Sequence, residues 1–214
     1  MGLENRETGK FFTIYDGKFC QRVADNTAGA TQRTNKLGKT VFEKYYEQFY
    51  GKLINIRTQD SPYGKNWVFD FKDKGDVYHL TLGYANGFAS SFLKILPNVD
   101  LTKEIKVSVS SKEVDGKKKS SLFINQDGVA LKHFYTKENP QGIPQWEQVM
   151  VKGVAQWDNT KELVFLENMV KTQILPKLEG LPQSAEDAQA DKDFDAAGAE
   201  PVADDAINPE DIPF

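Results

Sequence analysis

The chain has 214 residues, 39% hydrophobic and 12% aromatic, with 27 Lys+Arg against 31 Asp+Glu. That length suits one domain with generous extensions, and the sequence shows no apolar run able to cross a bilayer and no secretory core after MGLENRETGK. Cys20 is the only cysteine, which excludes a disulfide framework and a thiolate metal cluster, so the chain reads as cytosolic.

The predicted elements begin with FFTIYDGKFCQRV (11–23), two β-prone runs around Asp16-Gly17, a tight-hairpin dipeptide. Residues 24–39 are polar and read as a long loop. TVFEKYYEQFY (40–50) has the Thr40/Glu43 capping spacing and a four-residue repeat of Val41, Tyr45 and Phe49, yet it is rich in β-formers. A strand is expected from about Gln48, with 41–47 open. DSPYGK (60–65) is a turn, NWVFDFKD (66–73) a second strand, and Lys74-Gly75-Asp76 turns into a third, VYHLTLGY (77–84).

ANGFASSFLKILP (85–97) changes period: Ala85, Phe88/Ala89, Phe92 and Leu96 line one helical face, and Pro97 ends it. KEIKVSVSSKEV (103–114) and SSLFINQ (120–126) are the fourth and fifth strands around a lysine-rich loop. Residues 134–149 are Pro/Gly-rich with exposed-looking aromatics. A helix over 157–178 follows, with Asn159 as cap, Leu163, Leu166, Val170 and Ile174 as its apolar face, and Pro176 as its stop. Three strands, a helix and two strands is the order of an OB-fold, so the expected class is a mainly β barrel of that type. The helix lies between strands 3 and 4, a C-terminal helix packs on the barrel, and a disordered acidic tail follows.

The charge is split. Residues 181–214 carry ten acids and one base, Lys192, which leaves 26 Lys+Arg and 21 Asp+Glu in 1–180: a body of +5 and a tail of −9. The body suits an anionic partner. The tail, rich in Ala, Asp and Pro, cannot bury enough to offset its ordering entropy and is expected to be disordered. The domains are thus 1–180, with an N-terminal hairpin and a C-terminal helix added to the barrel, and 181–214.

Catalytic motifs fail on inspection. Gly38-Lys39-Thr40 ends like a phosphate loop, but Arg33 stands where its first glycine belongs. Asp70, Asp73 and Asp76 read as a solvated β-turn rather than converging metal ligands, and His79 and His133 have no partner at metal-ligand spacing. No catalytic residue, metal, cofactor or small-molecule substrate is expected.

What remains is a barrel with interleaved bases and aromatics. The candidate DNA-binding residues are Tyr50, Lys52, Arg57, Tyr63, Lys65, Trp67, Phe69 and Lys72 on the first two strands, with Lys112, Lys117, Lys118 and Lys119 around the fourth-to-fifth strand loop. Single strands bound without sequence preference need a positive groove and aromatic planes for bases. Alternation puts Trp67, Phe69 and Phe71 on one face of their strand, either all inward or as a stacking platform.

The chain finishes Asp211-Ile212-Pro213-Phe214 after acids, two apolar side chains beside carboxylates, as in a ligand held out for another protein. That ending on an acidic tail resembles bacterial single-stranded DNA-binding proteins, whose tails finish in the same tetrapeptide. GKLINIRTQDSPYGKNWVFDF and GYANGFASSFLKILPNVDL look instead like a group of phage-encoded single-stranded DNA-binding proteins, a likeness covering most of 10–175. The resemblance implies a non-enzymatic protein that coats single-stranded DNA during phage DNA replication, recombination and repair in the cytoplasm of an infected bacterium. It also implies recruitment of host or phage replication and repair proteins through the acidic C-terminal tail, with Asp211, Ile212, Pro213 and Phe214 docking in basic, apolar pockets. No membrane is expected to take part. The acid run before Asp211, interrupted by Pro209, is sparser than in the bacterial family. The alternatives are an acidic decoy that mimics DNA to inhibit host enzymes, and a metal-dependent nuclease.

Overall fold

A computed structural model describes residues 10–35, 38–114, 117–151 and 153–181. β1 (Lys10–Tyr15) and β2 (Lys18–Val23) form the expected hairpin, closed by Asp16 and Gly17 at φ 48° and 73°, the left-handed pair that a two-residue turn demands. The expected loop of 24–39 contains β3 (Thr31–Thr34), paired with β4 (Thr40–Tyr46), so the open stretch 41–47 is strand as far as Tyr46, with a bend at Glu47. Its helical spacing counted for less than the partners β2 and β3 that flank it. β5 (Gln48–Ser61), β6 (Gly64–Asp73) and β7 (Asp76–Gly83) form a meander.

α1 (Gly87–Ile95) is capped by Asn86, whose side chain accepts from the Phe88 amide at 2.8 Å, and Pro97 sits in a 3-10 turn, Leu96–Asn98, that ends it. β8 (Ile105–Val114), β9 (Lys117–Gln126) and the short β10 (Val129–Ala130) follow. A hairpin that the sequence reading missed, β11 (Glu147–Val151) with β12 (Val154–Asp158), forms a separate two-stranded sheet. The last helix is α2 (Thr160–Met169), a π turn (Val170–Ile174) and α3 (Leu175–Glu179).

Two details of that helix correct the sequence reading. Asn159 makes no capping bond; Asp158 accepts from the Thr160 amide instead, at 2.9 Å. Nor does Pro176 stop the helix. It lies in the first turn of α3, behind the π turn, where its missing N–H costs little. The expected apolar face is correct: Leu163, Leu166, Val170 and Ile174 are all buried.

The main sheet has the order β10–β9–β8–β5–β6–β7–β1–β2–β4–β3. All neighbours are antiparallel except β1 and β7, which run parallel. β5 is shared: Gln48–Gly51 pair with β8, and residues from Lys52 on pair with β6, across a bulge between Leu53 and Asn55. Among the described residues β7 pairs with β1 rather than β9, so strand pairing does not close the sheet into the expected barrel. The fold is mainly β with helices packed on one side.

The core lies between that sheet and the helices. Phe69 meets Phe92 of α1 at 4.7 Å between ring centroids, and Leu166, Met169, Val170 and Ile174 belong to the same buried cluster. Burying each such side chain contributes about 1.5–3 kcal/mol. Among the described residues no helix is long and apolar enough to cross a membrane. From residue 182 on, the segment expected to be disordered lies outside the described residues, and so does the tip Asp211–Phe214.

The hairpin turn is a packing contact as well. A Cβ at Gly17 would meet the Ser111 amide nitrogen at 2.5 Å, whereas one at Gly75, also at positive φ, meets nothing within 4 Å. Gly17→Ala should therefore destabilise by about 1–3 kcal/mol from overpacking in addition to backbone strain, and Gly75→Ala by about 1 kcal/mol from strain alone. Urea unfolding midpoints of the two variants check the difference; equal shifts would show that the turn does not rest on β8.

Candidate nucleic-acid interface

The bulge in β5 decides which side chains share a surface. Alternation places Tyr50 and Lys52 outward while Leu53 points into the core. Without an extra residue, Asn55 and Arg57 would turn inward. Ile54 is that extra residue; it is exposed, and beyond it Ile56 returns to the core opposite Phe69. Tyr50, Lys52, Asn55 and Arg57 therefore form one outer ridge crossing both halves of the sheet.

Neighbouring strands widen the ridge. On one side Tyr50 stands opposite Lys106, whose Nζ lies 5.7 Å from the centre of the tyrosine ring. Ser108 and Phe123 occupy the next row, opposite Gln48. On the other side Lys52 is opposite Lys72, and Asn55, Asp70 and His79 run across three strands to Phe11 on β1, which stacks on His79 at 4.7 Å. Tyr50, Phe123 and Phe11 are 50%, 49% and 45% exposed. Tyr63 is exposed at the β5–β6 turn, and Lys112 is exposed on β8. Among the described residues Lys52, Lys106 and Lys112 have no carboxylate partner.

Other candidates are placed differently. Trp67 and Phe69 are 1% and 0% exposed and belong to the core, so they cannot stack on bases. Their face of β6 meets α1, and Trp67 also stacks on Tyr84 at 5.5 Å. Lys65 is held by the last helix: its Nζ donates to Glu167 at 2.7 Å and lies over the Tyr84 ring. Arg57 lies 3.3 Å from Asp70, so much of its charge is matched. Lys117, Lys118 and Lys119 fall in β9, paired in register with Val114, Glu113 and Lys112, and their side chains lie outside the described residues.

Asp70 is also corrected. It is no member of a solvated turn: it is buried, accepts from Asn55 at 3.1 Å, and lies 2.6 Å from His79 Nδ1. His79 is accordingly not isolated. A two-residue turn at Lys74-Gly75 pairs 73 with 76 and hence 70 with 79, a signal the sequence did contain. Lys106 was legible too, since Ile105, Val107 and Val109 alternate inward around it; Phe123 was not, because Leu122 and Ile124 flank it. Among the described residues no group of three or more His, Cys, Asp or Glu side chains could hold a metal ion.

The Lys65–Glu167 contact has a pH signature. Burial pushes the Glu167 carboxyl up, but hydrogen bonds from Lys171, Lys65 and Tyr84 outweigh it and hold the pKa at about 2, below the ordinary 4.5. A carboxyl depressed on folding stabilises the protein above its ordinary pKa, and that stability is lost as pH falls towards 2. Lys65→Met should cost about 1–3 kcal/mol at neutral pH and flatten the decline in stability between pH 5 and 2. Unfolding followed across that range checks this; an unchanged acid limb would detach Lys65 from Glu167.

Compared with known proteins, the chain matches no family model, no curated protein and no solved structure.

Proposed function

We propose that this chain is a single-stranded DNA-binding protein of phage type, built on an OB-like sheet and acting without catalysis. The observation that carries the reading is the outer ridge of β5. It presents Tyr50, Phe123 and Phe11 beside Lys52 and Lys106, aromatic planes at two to three strand spacings with cations between them. Bases stack on such planes while lysines meet the phosphates, a combination tolerant of sequence because every base has a π-face.

Topology supports the same reading. The run β9–β8–β5–β6–β7, with α1 between its third and fourth members in chain order, has the strand adjacency of an OB-fold opened at one seam. The +5 body charge adds a general attraction for nucleic acid. In this reading the protein coats exposed strands in replication, recombination and repair within the host cytoplasm. The −9 tail carries Asp211, Ile212, Pro213 and Phe214 to host or phage enzymes, with the aromatic ring as anchor and the carboxylates meeting Arg or Lys.

Titration of the full-length protein with oligothymidylate at several salt concentrations tests the first part. Affinity should fall linearly on a log–log plot, with slope about −0.7 for each neutralised phosphate; a slope near zero overturns strand binding. Tyr50→Ala and Phe123→Ala should each weaken binding by about 1–3 kcal/mol if each holds one base. Lys65→Met should leave affinity unchanged once the protein is folded. Equal losses at all three positions would move the footprint off the ridge. For the tail, Phe214→Ala should abolish capture of replication enzymes from infected-cell extract; undiminished capture would rule out the tip as their ligand.

A further inference from the structure

A second concave site lies on the far side of the sheet from the ridge. It has a volume of about 530 Å³ and is framed by α1, α2, the 135–146 segment and β12. Its walls are Tyr135, Ile143, Trp146 and Trp157, with the two tryptophans 50% and 65% exposed. Glu162, buried, forms its floor and is fully engaged: it accepts from Ser90 Oγ at 2.9 Å, Lys94 Nζ at 2.9 Å and Trp146 Nε1 at 2.8 Å. Lys94 is thereby neutralised. Lys137, exposed at the rim, has no carboxylate partner among the described residues. The site offers aromatic and aliphatic walls beside one unmatched cation. Its complement is an apolar side chain a few ångströms from a carboxylate.

We infer that the occupant is the segment Glu210–Phe214 of the same chain, with Phe214 against Trp146 and Trp157 and an acidic side chain of Glu210 or Asp211 at Lys137. The inference rests on the reading of that segment as a peptide ligand and is independent of strand binding. Size agrees, since one phenylalanine with its neighbouring proline or isoleucine fits such a volume. Reach agrees as well. Leu181 packs against the core, and the 29 residues between it and Asp211 span about 30 Å as a flexible coil, giving the tip an effective concentration of order millimolar. A nucleic-acid strand is the poorer match, because phosphates at successive nucleotides would find one unmatched lysine.

Position gives the site its consequence. Phe69 and its neighbours face α1, and the ridge lies on the opposite side of the same sheet. A tip seated beside Trp157 does not touch Tyr50 or Lys52. The tail is therefore stored without competing with DNA, and a partner enzyme captures the tip by outbinding the body's own pocket, whether or not a strand is bound.

Intrinsic fluorescence reads this directly, because two of the three tryptophans line the site and Trp67 is buried. Full-length wild type is compared with full-length Phe214→Ala and Lys137→Glu. Both variants should show redder emission and stronger acrylamide quenching. The free peptide Asn208–Phe214 should restore the wild-type spectrum in Phe214→Ala. In a Phe214→Ala/Lys137→Glu double variant the peptide should bind at least about tenfold more weakly, from like-charge contact. Saturating oligothymidylate should leave these differences unchanged.

Identical quenching in wild type and Phe214→Ala, with no response to peptide, overturns the inference while leaving strand binding to its own titration. Loss of the difference on adding oligothymidylate overturns it in favour of a tip that competes in the strand groove. Quenching of the pocket tryptophans by oligothymidylate in Phe214→Ala overturns it in favour of a strand contact. A wild-type spectrum that depends on protein concentration overturns the same-chain assignment in favour of a neighbouring copy.

Discussion

One strand holds the two halves of this sheet together. β5 gives its first four residues to β8 and the remainder to β6, and the second pairing carries an irregularity between Leu53 and Asn55. Gly51 lies at the crossing, where a Cβ would stand 3.3 Å from the Lys72 carbonyl oxygen and from the Phe71 Cβ, so the backbones approach as closely as they do because no side chain intervenes. The bulge adds one residue and reverses the parity of all that follows, which keeps Leu53 and Ile56 in the core and Lys52 and Arg57 on the surface. A sheet of regular strands would have had to bury Arg57 or expose Ile56.

Four of the body's acids, Glu43, Asp70, Glu162 and Glu167, are turned inward against its own bases. Glu43 is buried with Arg33 and Tyr45, and although burial raises its pKa, their hydrogen bonds hold it below the ordinary value. Cys20, beside it, has its thiol pushed up to about 12, by burial first and then by the Glu43 charge, and is therefore an inert core group. Glu162 and Glu167 fasten the terminal helix to α1 and to β6 through Lys94 and Lys65. Such pairs fix geometry more than they stabilise, since desolvation offsets much of the attraction. Among the described residues, Lys52, Lys106 and Lys112 on the outer face of the sheet have no carboxylate partner.

The aromatic content divides along the same sheet. Trp67, Phe69, Phe71 and Phe92 form the interior, where stacked, tilted and edge ring contacts fill the space between strands and helix. Tyr50, Phe123 and Phe11 lie on one exterior, and Trp146 and Trp157 on another, beyond the helices. Two exposed aromatic sites lie on opposite sides of one core, a separation on which the proposed strand binding and the proposed docking of the tip both depend.

The sequence by itself determined several of the local elements, though not β3 or the β11–β12 hairpin. Asp16-Gly17 and Lys74-Gly75 set their turns through backbone conformation, Pro97 marked the end of α1, and the spacing of Leu163, Leu166, Val170 and Ile174 marked the buried face of the last helix. These depend on torsional preference and on side-chain period, which neighbouring residues carry. Only the tertiary structure decided the rest. Whether Trp67, Phe69 and Phe71 face solvent or core depends on α1 lying against them, twenty residues on. The parity of Asn55 and Arg57 depends on a bulge defined by two partner strands, and the role of Lys65 depends on Glu167, a hundred residues away. Alternation states that two faces exist; the choice between them belongs to whatever packs there, and no short window of sequence contains it.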